Sequence, residues 1–315
     1  MSLSDTASAS PASTAPAQTN SFYWTLRREF WEHRAIYIAP LAVAALILFG
    51  FTVSLLGLYA RAKALAQLTE DEKAAAIVQP YHFAAAAIIF TALIVSVFYC
   101  LGALYNERRD RTILFWKSLP VSDLTTVLAK ASIPIVILPL IYALIIMAMH
   151  ALMYLVNTAG RLAFGLSTAP LWTHVPLFQM EVVALYGFVT QALWYAPIFA
   201  WLLMVSAWAK RSPFLWAFLA PLAVGIVERI AFDTHYFGML VTHRLFGGLE
   251  AAFAGSGVTT ARGAVKIAGP KFPVIGLEQL DPVKFLGSPG LWFGLVIAAL
   301  FLAAAIWLRR YREPI

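Results

Sequence analysis

Cysteine is all but absent from this chain. Cys100 is the single one, so no internal disulfide and no multi-cysteine metal site can form. Charge is scarce too. Asp, Glu, Lys and Arg make up 12% of the 315 residues, against roughly 25% in a soluble domain. That is half the charge needed to coat a globule of this size. With 61% hydrophobic residues, a disordered chain and an ordinary cytosolic enzyme are both excluded. Two catalytic signatures are missing. None of the 18 glycines is followed by lysine, so there is no phosphate loop of the form G-x-x-x-x-G-K-[ST]. There is no H-E-x-x-H zinc motif either.

What the chain has is long apolar runs, with a mean hydropathy of +0.76. A bilayer core of about 30 Å needs roughly 20 apolar residues of helix. Six stretches meet that length or nearly so: Ile36–Tyr59, Phe83–Tyr105, Ile133–Val156, Val182–Trp208, Phe214–Phe232 and Leu291–Leu308. The prolines inside them are tolerable, because neighbouring helices satisfy the carbonyls they free. The reading is an all-α integral membrane protein with six transmembrane helices. Residues 1–20 are mostly Ser, Ala, Thr and Pro without Lys or Arg, so they read as a disordered tail, not a cleavable signal. Residues 21–315 read as one transmembrane domain.

Lys and Arg set the orientation. With the N-terminus in the cytoplasm, 13 of the 23 fall in inner segments, including Lys210 and Arg211 in a four-residue connection. Both termini are then cytoplasmic. The net charge of +7 marks the inner face and calls for no nucleic acid. Among the outer connections, Ala60–His82 holds a polar helix-like piece, Leu65–Ala76. Residues 233–288 form the longest. Its start, Tyr236–Phe253, suits an amphipathic helix, and its remainder suits irregular or short-strand structure. Asp233, His235, His243 and Glu250 in this loop match no metal spacing and read as solvated.

Two inner segments carry information. In Ser21–Arg34 the side chains of Phe22, Tyr23, Leu26 and Phe30 share one side of a helix. Thr25, Arg28, Glu29 and Glu32 share the other. Trp24, Arg27, Arg28 and Trp31 suit a helix lying in the membrane interface, in contact with lipid. The second segment is Glu107–Lys130. Its charged start leads to the apolar patch Ile113, Leu114, Phe115 and Trp116. Leu119-Pro120 then breaks the helix, and Ser122 or Asp123 can cap the next one. Exposed aromatics on a charged elbow point to a docking surface. The plainer alternative is an elbow packed on the bundle's own underside.

This second segment resembles the coupling-helix signature of ABC-2-type permeases, the membrane subunits of ATP-driven exporters. The matching positions are Glu107, Arg108, Thr112, Leu119-Pro120-Val121-Ser122 and Lys130. Arg111 stands where family members commonly have glycine. The close match covers about 25 residues, while the six spans, the amphipathic first helix and the enlarged last outer loop extend it. The resemblance implies a bacterial inner-membrane protein with a short cytoplasmic helix that sits in the cleft of a separate ATP-binding subunit. Glu107, Arg108, Arg109, Arg111 and Thr112 would make polar contacts there, beside Pro120, and Phe115 and Trp116 would fill the cleft. Two copies of that subunit, which binds the ATP and Mg, and a second permease protomer are expected. The chain itself would bind no cofactor and catalyse nothing.

Polar residues at membrane depth are few: His150, Gln191, Glu228 and Arg229. Each is a candidate for a translocation path or for an interhelical hydrogen bond. Glu228 and Arg229 are neighbours and point about 100° apart, so they make poor partners for each other. Gly50 and Gly57, and Gly290 with Gly294, are candidate close-packing positions. Two other readings compete: an intramembrane hydrolase, which needs a nucleophile and base at membrane depth, and a membrane scaffold or sensor that docks an ATPase without moving a solute.

Overall fold

The computed structural model describes residues 21–118, 121–254, 257–261, 264–268 and 277–312. The 1–20 tail and Leu119-Pro120 lie outside them, as does the side chain of Trp116. Among the described residues there are fourteen α-helices and one two-stranded ribbon. Six helical stretches are long and apolar enough to cross a membrane, which makes this a multi-pass membrane protein.

Helix α1 (Ser21–Glu32) precedes α2 (Ala35–Ser54), and a tight turn over Leu55–Gly57 leads to α3 (Leu58–Leu65). Together α2 and α3 form span one. Helix α4 (Glu70–Ala103) is span two. It has 34 residues, well beyond what a bilayer needs. The expected polar piece Leu65–Ala76 is not one helix. The chain turns at its middle, where Thr69 opens α4 with a capping box, its hydroxyl taking the Glu72 N–H while the Glu72 carboxylate takes the Thr69 N–H. The acidic run Glu70, Asp71 and Glu72 favours that helix start.

Span two ends in an elbow of two short helices, α5 (Tyr105–Arg109) and α6 (Thr112–Lys117). Span three begins as α7 (Asp123–Ser132). Ser122 caps it by accepting the Thr125 N–H at 3.0 Å. A widened π-helical stretch over Ile133–Ile137, which contains Pro134, joins α7 to α8 (Leu138–Ala163). The short α9 (Ala169–His174) leads into span four, α10 (Leu177–Trp208). Span five is α11 (Pro213–Phe232). Then come α12 (Tyr236–Ala252), the antiparallel strands β1 (Gly257–Ala261) and β2 (Ala264–Ala268), and α13 (Pro282–Leu286). Span six is α14 (Pro289–Tyr311). The short strands fall in the Gly- and Pro-rich half of the last long connection.

Helix α10 is the central element. It packs against α4, α8, α11, α12 and α14, and fifteen of its residues are buried, from Met180 to Ala207. The main core gathers Tyr81, Ile88, Tyr99, Tyr142, Ile146 and Leu203. Helix α11 is the opposite case. Ala217 is its single buried residue, and Phe214, Leu219, Val227 and Ile230 face outward. A helix apolar all round and uncovered is solvated by hydrocarbon, not by water. Helix α12 lies back against α10. The Arg244 guanidinium stacks over Trp194 at 4.6 Å and donates to the Trp194 and Gly290 carbonyl oxygens at 3.2 and 2.8 Å. A side chain at Gly294 would collide with that guanidinium. Gly290 and Gly294 therefore close-pack within the chain, and Gly50 opens onto empty space.

Candidate functional site

One end of the bundle, the elbow end, gathers α1, the α5–α6 elbow, α7 and the last turn of α14. Six charged side chains meet there, three of each sign. The Lys130 ammonium, 0% exposed, lies 2.7 Å from Glu29 Oε1 and 3.1 Å from Glu107 Oε1. Arg28 reaches the same two carboxylates at 2.9 and 2.7 Å. Arg309 bonds Glu107 Oε2 and, at 3.0 Å, Asp123 Oδ1. The Tyr99 hydroxyl donates to Glu29 Oε2 at 2.8 Å. Ions removed from water recover their hydration only through such close and saturated pairing. Four helices from distant parts of the sequence and the elbow are thereby tied at one point.

The cluster reverses the face that α1 turns inward. Its polar side is the buried one, with Glu29 at 0% exposure, while Tyr23, Trp24 and Trp31 point out. Arg27 lies between the two tryptophan rings, 5.2 Å from Trp24 and 5.0 Å from Trp31. Burial pushes the Glu29 carboxyl up, but Lys130, Arg28 and His33 outweigh it and hold the group at about 2, below its ordinary 4.5. A depressed carboxyl contributes stability that is complete above its unfolded value and is lost as pH falls toward the folded one. Thermal unfolding followed from neutral pH down to about pH 3 should show a steep acid loss. Glu29→Gln should be less stable at neutral pH and should flatten that acid limb.

The elbow's direction is set by span four. Helix α4 breaks at Leu104, freeing two backbone donors. Ser206 on α10 collects both: its Oγ accepts the N–H groups of Leu104 and Tyr105 at 3.0 and 2.9 Å and donates to the Leu101 carbonyl at 2.9 Å. Arg108, 3% exposed, donates to the Ala207 and Ala209 carbonyls at 2.6 and 3.2 Å, closing the end of α10. Ile113 is the elbow's apolar anchor at 1% exposure, while Leu114 and Phe115 stand 58% and 60% exposed.

The expected docking residues thus divide. Glu107 and Arg108 are turned inward and hold the elbow to its own bundle. The physical reason is that each lies against groups of complementary charge or dipole, three cations for Glu107 and a helix C-terminus for Arg108. Arg109 is exposed beside Asp110, with Tyr105 under its guanidinium at 5.9 Å. Arg111 is exposed and takes a left-handed backbone, φ 56°. Thr112 bonds the Glu107 carbonyl at 3.3 Å. Pro120 and the Trp116 side chain fall outside the described residues.

The four polar residues at membrane depth do not converge. His150 on α8 meets Glu181 of α10 at 2.7 Å. Gln191 lines a small crevice with Ser96, Pro134 and Tyr195. Glu228 caps α12 by accepting the Tyr236 and Phe237 N–H groups at 2.7 and 2.9 Å. Arg229 points to Asp233 at 3.6 Å on the surface. Among the described residues no three His, Cys, Asp or Glu side chains come close enough to hold a metal.

Neither a family model, nor a curated protein, nor a solved structure matches the chain. The site's own geometry therefore carries the functional argument. Reading the residues alone missed Glu29, Ser206, Arg309 and Asp123 as site members. For Glu29 a signal existed: Lys130, at the head of an apolar run, needs a counter-charge. Ser206 left no trace, since a lone serine in a span is ordinary.

Proposed function

We propose that this chain is the permease subunit of an ATP-driven ABC-2-type exporter in the bacterial cytoplasmic membrane, with both termini in the cytoplasm. The observation that carries the reading is the elbow. It presents Leu114 and Phe115 outward, with Arg109 and Arg111 beside them, on a base tied to four helices and to the end of span four. A surface meant to transmit force needs such a mount, because a flexible loop would absorb the movement. The left-handed backbone of Arg111 adds support. That conformation suits glycine, the residue common at this position in the permeases the segment resembles.

In this reading a separate subunit binds ATP and Mg, and its cleft receives α6. Closure of two such subunits moves α5–α6, and the charge cluster passes the movement to α1, α7 and α14. Two permeases face each other and the solute path lies between them. The chain performs no chemistry of its own, consistent with the missing phosphate loop.

Affinity capture of the full chain from its native membrane in mild detergent tests the docking. The unmodified chain should bring down an ATP-hydrolysing subunit. Leu114→Ala/Phe115→Ala should lose it by at least about tenfold, since aromatic anchors at docking centres are each worth about 2 kcal/mol or more. Full retention by a folded variant would end the assignment.

A further inference from the structure

At the end of the bundle opposite the elbow, His150 is buried on α8 at 2% exposure. Its ring meets two acceptors. Nε2 lies 3.0 Å from the backbone oxygen of Tyr81, and Nδ1 lies 2.7 Å from Glu181 Oε1. A carbonyl oxygen has no proton to give, so Nε2 carries its hydrogen. In a neutral imidazole Nδ1 is then bare. A bare nitrogen at 2.7 Å from an ionised carboxylate would set lone pair against lone pair. The contact needs one more proton, either on Nδ1 as imidazolium or on Glu181 as the carboxylic acid.

From this geometry we propose that His150 and Glu181 form a proton-binding site joining spans three and four. The ligand is a single proton, held between Nδ1 and Oε1. Glu181 keeps 19% of its side chain exposed and supplies the way in. The other groups around the ring do not replace it. From α4 come the Tyr81 ring, at 5.8 Å, and His82, whose Nε2 is buried without a partner. Helix α8 adds Tyr154 and Arg161 farther along, and Arg161 donates to the Ser167 carbonyl. On α9, His174 turns to Glu70 at 3.9 Å. Glu181 is the carboxylate that meets the ring. Release of the proton leaves α8 and α10 facing each other through two lone pairs, and the contact opens.

This inference does not depend on the exporter reading. The full chain, labelled with nitrogen-15 in its six histidines, answers it in detergent or nanodiscs. His150→Gln assigns the signal. At pH about 7, either both ring nitrogens of His150 are protonated or an infrared carboxylic-acid band is present that Glu181→Gln removes. Glu181→Gln supplies the second readout: its amide N–H can donate to a bare Nδ1, so in that variant His150 should keep its proton on Nε2 and carry none on Nδ1. A bare Nδ1 with no carboxylic-acid band at neutral pH overturns the proposal, and so does an Nδ1 that stays protonated in Glu181→Gln. Should that variant not fold, the spectrum of the unmodified chain decides alone.

Discussion

Lys130→Met should cost the protein about 3–5 kcal/mol, the usual penalty for removing one partner of a buried ion cluster. The lysine is wholly enclosed and is shared by two carboxylates, Glu29 at 2.7 Å and Glu107 at 3.1 Å. Methionine fills most of its volume, so the loss is electrostatic and not a cavity. Arg28 still bridges the same two oxygens, Glu29 Oε1 at 2.9 Å and Glu107 Oε1 at 2.7 Å, and Arg309 still holds Glu107 Oε2, but the buried cluster has lost one of its three cations and both carboxylates are left under-paired. The measurement is thermal unfolding in detergent, with the monodisperse fraction as a check. Adding Glu29→Gln to Lys130→Met should then cost less than the sum of the two, since the second change removes a charge the first has orphaned. Strict additivity would mean the two residues do not interact.

Ser206→Ala is the second large effect. The change is one oxygen atom at a site with no exposed surface. It strands the N–H groups of Leu104 and Tyr105 and the Leu101 carbonyl. A buried backbone group without a partner costs about 1–3 kcal/mol. Two freed donors should therefore lower stability by about 2–4 kcal/mol, allowing for partial rescue by water. The consequence for function is directional. The break at Leu104 aims the elbow, and with Ser206 gone the α4–α5 angle is no longer held. Spin labels on the elbow and on α10 should give a broadened distance distribution in the variant and a narrow one in the unmodified chain. A narrow, unshifted distribution in Ser206→Ala would show that Arg108, gripping the Ala207 and Ala209 carbonyls, holds the angle by itself.

Much of the architecture was legible in the residues. Six apolar runs correspond to the six long helices because hydrocarbon admits little besides helices whose backbone groups are satisfied internally. The start of the last long connection is helical as its amphipathic pattern expects, and the Gly- and Pro-rich part holds the two short strands. Helix lengths were less legible. Spans two and four run to 34 and 32 residues: α4 carries on through Pro80, and Leu177–Glu181 holds no helix breaker. Hydropathy marks where the apolar part ends, not where the helix does.

The site was half legible. The elbow's short helices and its exposed Phe115 follow from a charged start and an apolar patch, while the break read at Leu119-Pro120 lies outside the described residues. The inward turn of Glu107 and Arg108 does not follow, because it depends on α1 and α14 reaching Glu107 from 79 and 202 residues away, with Lys130 of α7 beside them, and on the end of α10 meeting Arg108 from 99 residues away. A local pattern tells which residues are charged but not which neighbours neutralise them. Glu228 and Arg229 illustrate the same limit. One is a helix cap and the other a surface partner of Asp233, and their adjacency in the chain said nothing of either.

The chain's single cysteine makes the central claim directly testable, because Cys100 is fully buried and its thiol is shielded from reagents. Ser118→Cys places one reactive thiol at the exposed end of the elbow and leaves Leu114 and Phe115 in place, and Trp172→Cys places a control on α9 at the opposite end, where the native side chain is 74% exposed. Each carries a photo-crosslinker in native membranes, and the captured polypeptide is identified by mass spectrometry. The elbow position should capture an ATP-binding subunit, with added ATP changing the yield, and the control should not. Capture of no nucleotide-binding protein at the elbow, or equal capture at both positions, would contradict the elbow as the point where ATP hydrolysis reaches the membrane spans.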